Sequence, residues 1–242
     1  MDVVGIIPAR FNSTRFEGKV LADINGKPMI QHVWEKAKQS QLLDELIVAC
    51  DDERVYKTVK DFGGKAIFTA KEHPSGTDRI TEIVNPLDVK IVVNIQADEP
   101  MIHPSMINGV IEELLADKSL VVATVIKKIE RPDEIGDPNV VKVVFDKNNF
   151  ALYFSRSTIP FLRDAETQGV CYYKHIGLYA YTKDFLFTYK NLNQSTLEKL
   201  EKLEQLRILE NGYRIKVVET KFETYGVDTP EDLIRVRQNI NN

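Results

Sequence analysis

Val3-Val4-Gly5-Ile6-Ile7-Pro8-Ala9-Arg10-Phe11-Asn12-Ser13-Thr14-Arg15-Phe16-Glu17-Gly18-Lys19 is the stretch on which the fold turns. The apolar run from Val3 to Ile7 reads as a buried strand. The loop beyond its C-terminal end, where open α/β sheets bind ligands, concentrates three cations, Arg10, Arg15 and Lys19. Arginine and lysine beside Ser13 and Thr14 hydroxyls suit a polyphosphate, because charge-assisted hydrogen bonds can spread over several oxygens. A solvated basic loop on an acidic protein would read the same way. Neither a Walker A nor a GxGxxG fingerprint is present, which removes support for P-loop and dinucleotide readings.

Working outward, short apolar runs alternate with amphipathic segments, the pattern of βαβ units around a mostly parallel sheet. Strands are expected at Val3 to Ile7, Leu46 to Ala49, Ala66 to Phe68 and Ile91 to Ile95. Helix stripes comprise Met29, Ile30, Val33, Trp34 and Ala37, and Ile107, Val110, Ile111, Leu114 and Leu115, facing the sheet. After a strand at Val121 to Ile126 the rhythm changes. Val140 to Asp146 and Ala151 to Ser155 flank Lys147-Asn148-Asn149, a hairpin signal that starts a β-ribbon. Tyr172 to Tyr181 alternates, with Ile176, Leu178 and Ala180 on a core face and Tyr173, His175, Tyr179 and Tyr181 forming a polar, aromatic wall. Leu197, Leu200, Leu203, Leu206 and Leu209 recur every third residue, which fits two helical pieces or one buried helix and not a coiled coil. A strand at Arg214 to Val218 and a helix from Pro230 follow. The expectation is a single domain over 1–242: a nucleotide-binding half over about 1–126, and an elaborated β-ribbon and helical half over about 127–242.

The 242 residues carry 36 acidic and 32 basic side chains, a net charge of -4 that excludes a generally basic nucleic-acid-binding surface. An apolar content of 43% with 28% charged residues suits a compact domain. No run approaches a membrane span and no secretory signal opens the chain. Two cysteines, Cys50 and Cys171, form no CxxC pair, so a reducing cytoplasm is expected. His32, His73 and His103 lack metal spacing, and no GxSxG elbow supports a hydrolase.

Asp98 lies in Gln96-Ala97-Asp98-Glu99-Pro100, just after an apolar strand, and Pro100 disfavours helix at Glu99. A carboxylate at a strand end suits a magnesium ion, which takes one or two protein carboxylates plus phosphate oxygens and water; a surface turn would look alike. In Asp228-Thr229-Pro230-Glu231-Asp232 the helix is capped by Thr229 with Asp232 at N3, leaving Asp228 for a ligand or a second capping contact. Ser75 reads as an N-cap with Asp78 at N3, and backbone N–H groups there can also meet nucleotide oxygens. His175 alone is more often structural than a ligand or base. Arg156 could grip a carboxylate with its fork or be an edge-strand charge.

IPARFNSTRFEGKVL, INGKPMIQHV, SGTDRI, NIQADEPMI, NVVKVVFD, ALYFSRSTIP, KHIGLYAY, LEQLRILENG and GVDTPEDL occur in that order along nearly the whole chain. Together they resemble the 3-deoxy-manno-octulosonate cytidylyltransferase (CMP-Kdo synthetase) family. The resemblance implies a three-layer α/β nucleotidyltransferase domain that forms a homodimer. It also implies CTP as co-substrate, magnesium as cofactor, an acidic eight-carbon sugar as acceptor, and a role in making lipopolysaccharide. It makes Asp98 and Asp228 metal ligands, and groups Pro8, Ala9, Arg15, Ser75, Gly76, Arg79 and Gln96 around the nucleotide. Arg156, His175, Tyr179, Glu204 and Gln205 then surround the sugar, and Arg10 and Lys19 stabilise the departing pyrophosphate. Glu204 and Gln205 would otherwise pass as the solvated face of a helix. For the dimer, Tyr172 to Tyr181 is a candidate contact or an ordinary core strand.

Two residues depart from the family pattern. Ala97 stands where glycine is common, and its methyl could crowd the nucleotide. Glu17 replaces a proline beside the basic loop and must point outward if a triphosphate binds there. The 8-amino-3,8-dideoxy sugar remains an alternative acceptor; sialic acid is a more distant one, opposed by LEQLR and YFSR. An inactive nucleotide-binding protein would be an alternative of a different class, opposed by Arg10, Lys19, Asp98 and Asp228 occurring together.

Overall fold

A computed structural model describes residues 1–12, 16–73, 76–164 and 169–240. Its strands are β1 (Val3–Ala9), β2 (Asp23–Ile24), β3 (Lys27–Pro28), β4 (Glu45–Cys50), β5 (Ala66–Phe68), β6 (Ile91–Asn94), β7 (Val122–Lys128), β8 (Lys142–Phe145), β9 (Ala151–Ser155), β10 (Tyr173–Thr182) and β11 (Lys216–Thr220). The helices are α1 (Met29–Ala37), α2 (Glu53–Asp61), α3 (Gly76–Val84), α4 (Pro104–Ala116), α5 (Pro132–Gly136), α6 (Lys183–Asn191), α7 (Thr196–Glu201), α8 (Leu206–Glu210) and α9 (Pro230–Asn239). The main sheet runs β11-β7-β10-β6-β1-β4-β5, with β8 added to β10 and β9 to β8. Within that row β10 alone is antiparallel to its neighbours.

Alternation along the strands divides the core into two layers. Val3, Ile7 and Ala9 of β1 face α1, α2 and α4, together with Ile30, Val33, Val55, Val59, Ile107, Val110 and Ile111. Val4 and Ile6 face the opposite way, toward Ile80, Ile83 and Val84 of α3, Phe185 and Leu186 of α6, and Leu206 of α8. Helices thus cover both faces of the mostly parallel sheet, as expected. Leu115 departs from the predicted stripe: it is 52% exposed, because the buried face of α4 ends with Leu114.

The ribbon β8–β9 is antiparallel, and its turn is fixed by Asn149 at φ 60 and by Asp146, whose Oδ1 accepts from the backbone N–H groups of Asn148 and Phe150. The leucine row is two helical pieces, α7 and α8, with 202–205 as the turn between them. The aromatic side of β10 is covered rather than open to solvent, with His175, Tyr179 and Tyr181 lining a cavity beneath the covering elements. Tyr179 and Tyr181 are buried in the second core layer, because α6 and α8 cover that face as fully as α4 covers the other. Over Tyr179–Thr182, β10 is an interior strand flanked by β6 and β7, which is the core-strand alternative for that part of the segment.

A third, small cluster joins Ile24 and Met29 to Val227, Leu233 and Val236. It packs α9 against the β2–β3 hairpin, whose tight turn places Asn25 and Gly26 at φ 51 and 88. This packing brings the region of Asp228 beside that of Lys19. Among the described residues no helix is long and apolar enough to cross a membrane.

Candidate active site

The loop after β1 turns back on itself at Gly18, whose φ of 66 lies in the left-handed region and whose N–H donates to Phe11 O at 3.0 Å. A Cβ there would sit 3.0 Å from the Phe11 ring, so glycine is required twice over. Lys19 follows, and its ammonium donates to Asp98 Oδ2 at 2.6 Å, Asp228 Oδ1 at 3.0 Å and Val227 O at 3.0 Å. A backbone bond from Val227 N to Asp98 O, 2.9 Å, holds the two aspartate loops together. Burial opposes the charge on Lys19, but the two carboxylates outweigh it and raise the ammonium pKa.

The capping of α9 is as expected: Thr229 Oγ1 accepts from Asp232 N, and Asp232 Oδ2 accepts from the backbone N–H groups of Asp228 and Thr229. The carboxylate of Asp228 is therefore turned toward Lys19 rather than into the cap. Two hard carboxylates converging on one cation, beside a basic loop, form a donor set that fits magnesium with phosphate oxygens completing its shell. Neighbouring Glu99 does not extend that set. Burial first, and Asp98 next, push its carboxyl up to about 8, so it is largely protonated at neutral pH. Among the described residues no group of three or more His, Cys, Asp or Glu is placed to hold a metal.

Beside this pair lies a cavity of about 250 Å³. Gly76, Gln96, His175, Tyr179, Glu204 and Gln205 line it, so six of the expected site residues meet there. Gly76 approaches Pro8, with a built Cβ 3.6 Å from Pro8 Cγ. Gly177, inside the irregularity of β10 between Ile176 and Tyr179, lies so close to Gln96 that a Cβ would come within 3.4 Å of its Cγ. His175 and Gly177 also line a second cavity of about 580 Å³ that reaches Asp228 and Glu99, which links the aspartate pair to the first cavity.

Burial pushes His175 down to about 3, so the ring is neutral; its Nε2 lies 3.0 Å from Thr124 Oγ1. Burial likewise raises the Tyr179 phenol well above its ordinary value. The Glu204 carboxyl is raised, chiefly by desolvation against the cavity walls, while Tyr189 Oη donates to Glu204 O at 3.0 Å and Gln205 is buried.

Other expectations fare differently. Arg156 does not line the cavity: its Nε donates to Glu201 O at 2.7 Å and its Nη1 to Pro138 O at 2.9 Å, because β9 ends against the C-terminus of α7. Arg79 is 3% exposed and bonded to Asp51 Oδ2 at 2.8 Å, to Ala70 O and to Thr69. Since Asp51 Oδ1 also accepts from Phe11 N, Arg79 ties α3 to the loop after β1. Ala9 is buried in the core, and Arg10 is exposed. Arg15 and Ser75 lie outside the described residues. Ala97 does not present its methyl to the cavity: it is 6% exposed and packed in the first core layer. Glu17 is exposed, as a triphosphate site requires.

Sequence reading missed Asp51, Thr77, Asn94, Tyr181, Tyr189 and Lys202. Asp51 and Asn94 had a signal, since both stand at the C-terminal ends of parallel strands, β4 and β6.

The Cytidylyltransferase family is matched over residues 4–217. The chain is 56% identical over 238 residues to a 3-deoxy-manno-octulosonate cytidylyltransferase of Syntrophus aciditrophicus, covering 97% of this chain and 96% of that protein. A protein of the same description from Solibacter usitatus is 53% identical over 234 residues, with 97% and 92% covered. A solved structure of CMP:2-keto-3-deoxy-manno-octonic acid synthetase complexed with CTP superposes with a TM-score of 0.93 at 45% identity, covering 100% of this chain and 99% of that one.

Proposed function

The chain belongs to the 3-deoxy-manno-octulosonate cytidylyltransferase family, and from that membership we infer that it transfers CMP from CTP to 3-deoxy-manno-octulosonate, releasing pyrophosphate and forming the CMP-sugar for lipopolysaccharide biosynthesis. The observation that carries the reading is the convergence of Asp98, Asp228 and Lys19 on one point beside a cavity lined by His175, Tyr179, Glu204 and Gln205.

The anomeric hydroxyl of the sugar attacks the α-phosphorus of CTP; the new O–P bond forms as the bond to the bridging oxygen of pyrophosphate breaks. Asp98 and Asp228 would hold magnesium, which when bound supplies charge against the phosphates and acidifies the attacking hydroxyl. Lys19 bridges the two aspartates, and its ammonium can exchange a carboxylate partner for a phosphate oxygen. Arg10, exposed at the end of β1, joins it against the leaving group. Gly76 and Gln96 form the nucleotide side of the cavity, with Pro8 beside Gly76; family membership adds Ala9, Arg15 and Ser75 to the nucleotide contacts, and Arg79 acts behind them through Asp51. His175, too weak a base at about 3 to take a proton at neutral pH, serves as a neutral hydrogen-bonding partner of the sugar, with Tyr179 and Gln205. Arg156 supports the sugar side through the α7 terminus.

A single domain over 1–242, a homodimer and a cytoplasmic setting complete the reading. The free thiols of Cys50 and Cys171 suit a reducing compartment. Light scattering that returned only a monomer at high concentration would remove the dimer. Pyrophosphate release with CTP and magnesium tests the reaction, comparing 3-deoxy-manno-octulosonate, its 8-amino analogue and sialic acid. Release with 3-deoxy-manno-octulosonate is expected. Release with the 8-amino sugar alone would keep the chemistry and change the acceptor, and no release with any would overturn the reading.

A further inference from the structure

Two lysines stand directly opposite each other on neighbouring strands, Lys174 of β10 and Lys127 of β7. Both are buried, at 7% and 2% exposure. Like charges in facing positions repel, and a buried ammonium gives up its hydration unless a partner replaces it. Three carboxylates supply the partners. Glu134 of α5 accepts from Lys174 Nζ at 3.0 and 3.1 Å, and Glu130 accepts from Lys127 Nζ at 3.1 Å. Glu223 reaches both lysines: its Oε1 accepts from Lys174, and its Oε2 lies 3.6 Å from Lys127 Nζ. Burial opposes the charge on Lys174, but Glu223 and Glu134 outweigh it and raise the ammonium pKa.

The transfer chemistry assigned above uses none of these five side chains. Apolar residues would join the two strands equally well; paired charges add a preference for one position of Glu223. That position matters because Glu223 belongs to the segment that carries Asp228. Between the end of β11 at Thr220 and the start of α9 at Pro230 the chain has no regular structure, so no ladder of backbone bonds fixes its path. Its far end is held by the Thr229–Asp232 box and by Val227 in the small cluster with Leu233 and Val236. Its near end is held by Phe222, whose ring stacks on His103 with centroids 3.5 Å apart, and by Glu223. In between, the segment runs against the Asp98 loop: a Cβ on Gly226 would lie 3.1 Å from Glu99 Oε1, and Val227 N donates to Asp98 O at 2.9 Å. With so little clearance, a displacement at Glu223 is passed along the segment to Asp228 rather than absorbed.

We propose that Lys174 and Glu223 are positioning residues for the transfer reaction: their buried bridge anchors the 221–229 segment to β10 and so keeps Asp228 opposite Asp98 for a divalent cation. The inference rests on the metal-binding role proposed above for the two aspartates. Lys127 shares the Glu223 carboxylate and steadies it, while Glu134 neutralises Lys174 from α5, outside the segment. Lys174 directly precedes His175, so one strand carries both a wall of the cavity and the anchor of the second aspartate.

Binding of Mn2+ to the protein–CTP complex, read by water-proton relaxation, and initial rates against magnesium test this on variants of the bridge. Glu223→Gln is expected to weaken Mn2+ binding about tenfold and to raise the half-saturating magnesium concentration in step. Lys174→Met should do the same, and Lys174→Arg, which keeps a cation between the two carboxylates, should retain most of the Mn2+ affinity. At saturating magnesium the KM values for CTP and for the sugar should stay within about twofold. Glu134→Gln is the control: it removes a partner of the same buried lysine, so it should lower the melting temperature at least as much as Glu223→Gln, yet leave Mn2+ affinity unchanged. Should Glu223→Gln not fold, Glu223→Asp, whose carboxylate is withdrawn by a methylene, takes its place. Wild-type Mn2+ affinity in the folded Glu223 variant, or an equal loss in Glu134→Gln, would overturn the proposal. A wild-type complex that binds Mn2+ no more tightly than Asp98→Asn does would overturn the underlying metal reading instead, so the two failures are distinguishable.

Discussion

The aspartate pair and the cavity beside it are built on opposite physical principles. At the pair, one ammonium faces two carboxylates from segments 79 and 209 residues away from Lys19, in a partly exposed place. In the cavity, burial removes charge: His175 is kept neutral and the Tyr179 proton is held. The first region depends on which atoms carry charge. The second depends on which surfaces exclude water, and so on the packing of α6, α8 and β10. Substitutions should therefore separate catalytic rate from stability in the first region and mix affinity with stability in the second.

The sharpest break is at Asp98. Asp98→Asn should lower turnover by about 10³-fold or more while changing stability by less than about 1 kcal/mol, since Asp98 is only partly buried and Lys19 keeps Asp228. Near-normal turnover at saturating magnesium would remove its assigned role. Next comes the cavity: His175→Ala should raise the sugar KM about 10- to 100-fold and also lower the melting temperature, because it opens a void against Phe154 and Tyr179. An effect on the CTP KM alone would place the ring on the wrong side.

Stability against pH sharpens the contrast further. The unfolded chain protonates His175 near pH 6.5, whereas the folded chain resists until about pH 3. The contribution of this residue is thus complete above pH 6.5 and is lost as pH falls toward 3. Wild type should lose up to about 1.4 kcal/mol per pH unit more than His175→Gln over that interval; parallel curves from denaturant titrations would refute the buried neutral ring. The smallest effect is expected from Tyr179→Phe, a rise of about threefold in the sugar KM from loss of one hydroxyl, with the fold intact by circular dichroism.

The same contrast explains what could be read from the sequence. Charge and capping are local: the basic loop after β1, Asp98 before Pro100 and the Thr229–Asp232 box beside Asp228 could be named from spacing, and the structure brings Lys19, Asp98 and Asp228 together and forms the box. The parallel strands and helix stripes were legible because their periods are local too, and Leu115 failed only where α4 runs past its support. Burial is not local. That the aromatic face of β10 is core depends on α6 and α8 arriving from elsewhere, and no period within β10 reports it. Arg156 illustrates the limit: a fork at a strand end reads as a carboxylate binder, yet Glu201 and Pro138 reach it first. Lys202 was missed because a left-handed lysine in a turn leaves no pattern in the sequence.

The docking of α9 on the β2–β3 hairpin has a consequence for synthesis of the protein. Lys19 and Asp98 emerge from the ribosome early and can pair as soon as β1 and β6 associate, but Asp228 lies far down the chain and is placed only when Val227, Leu233 and Val236 reach Ile24 and Met29. The nascent polypeptide can thus complete most of its sheet while its aspartate pair is still half-made. Competence for nucleotide transfer therefore arrives late in translation, once α9 has docked on the β2–β3 hairpin.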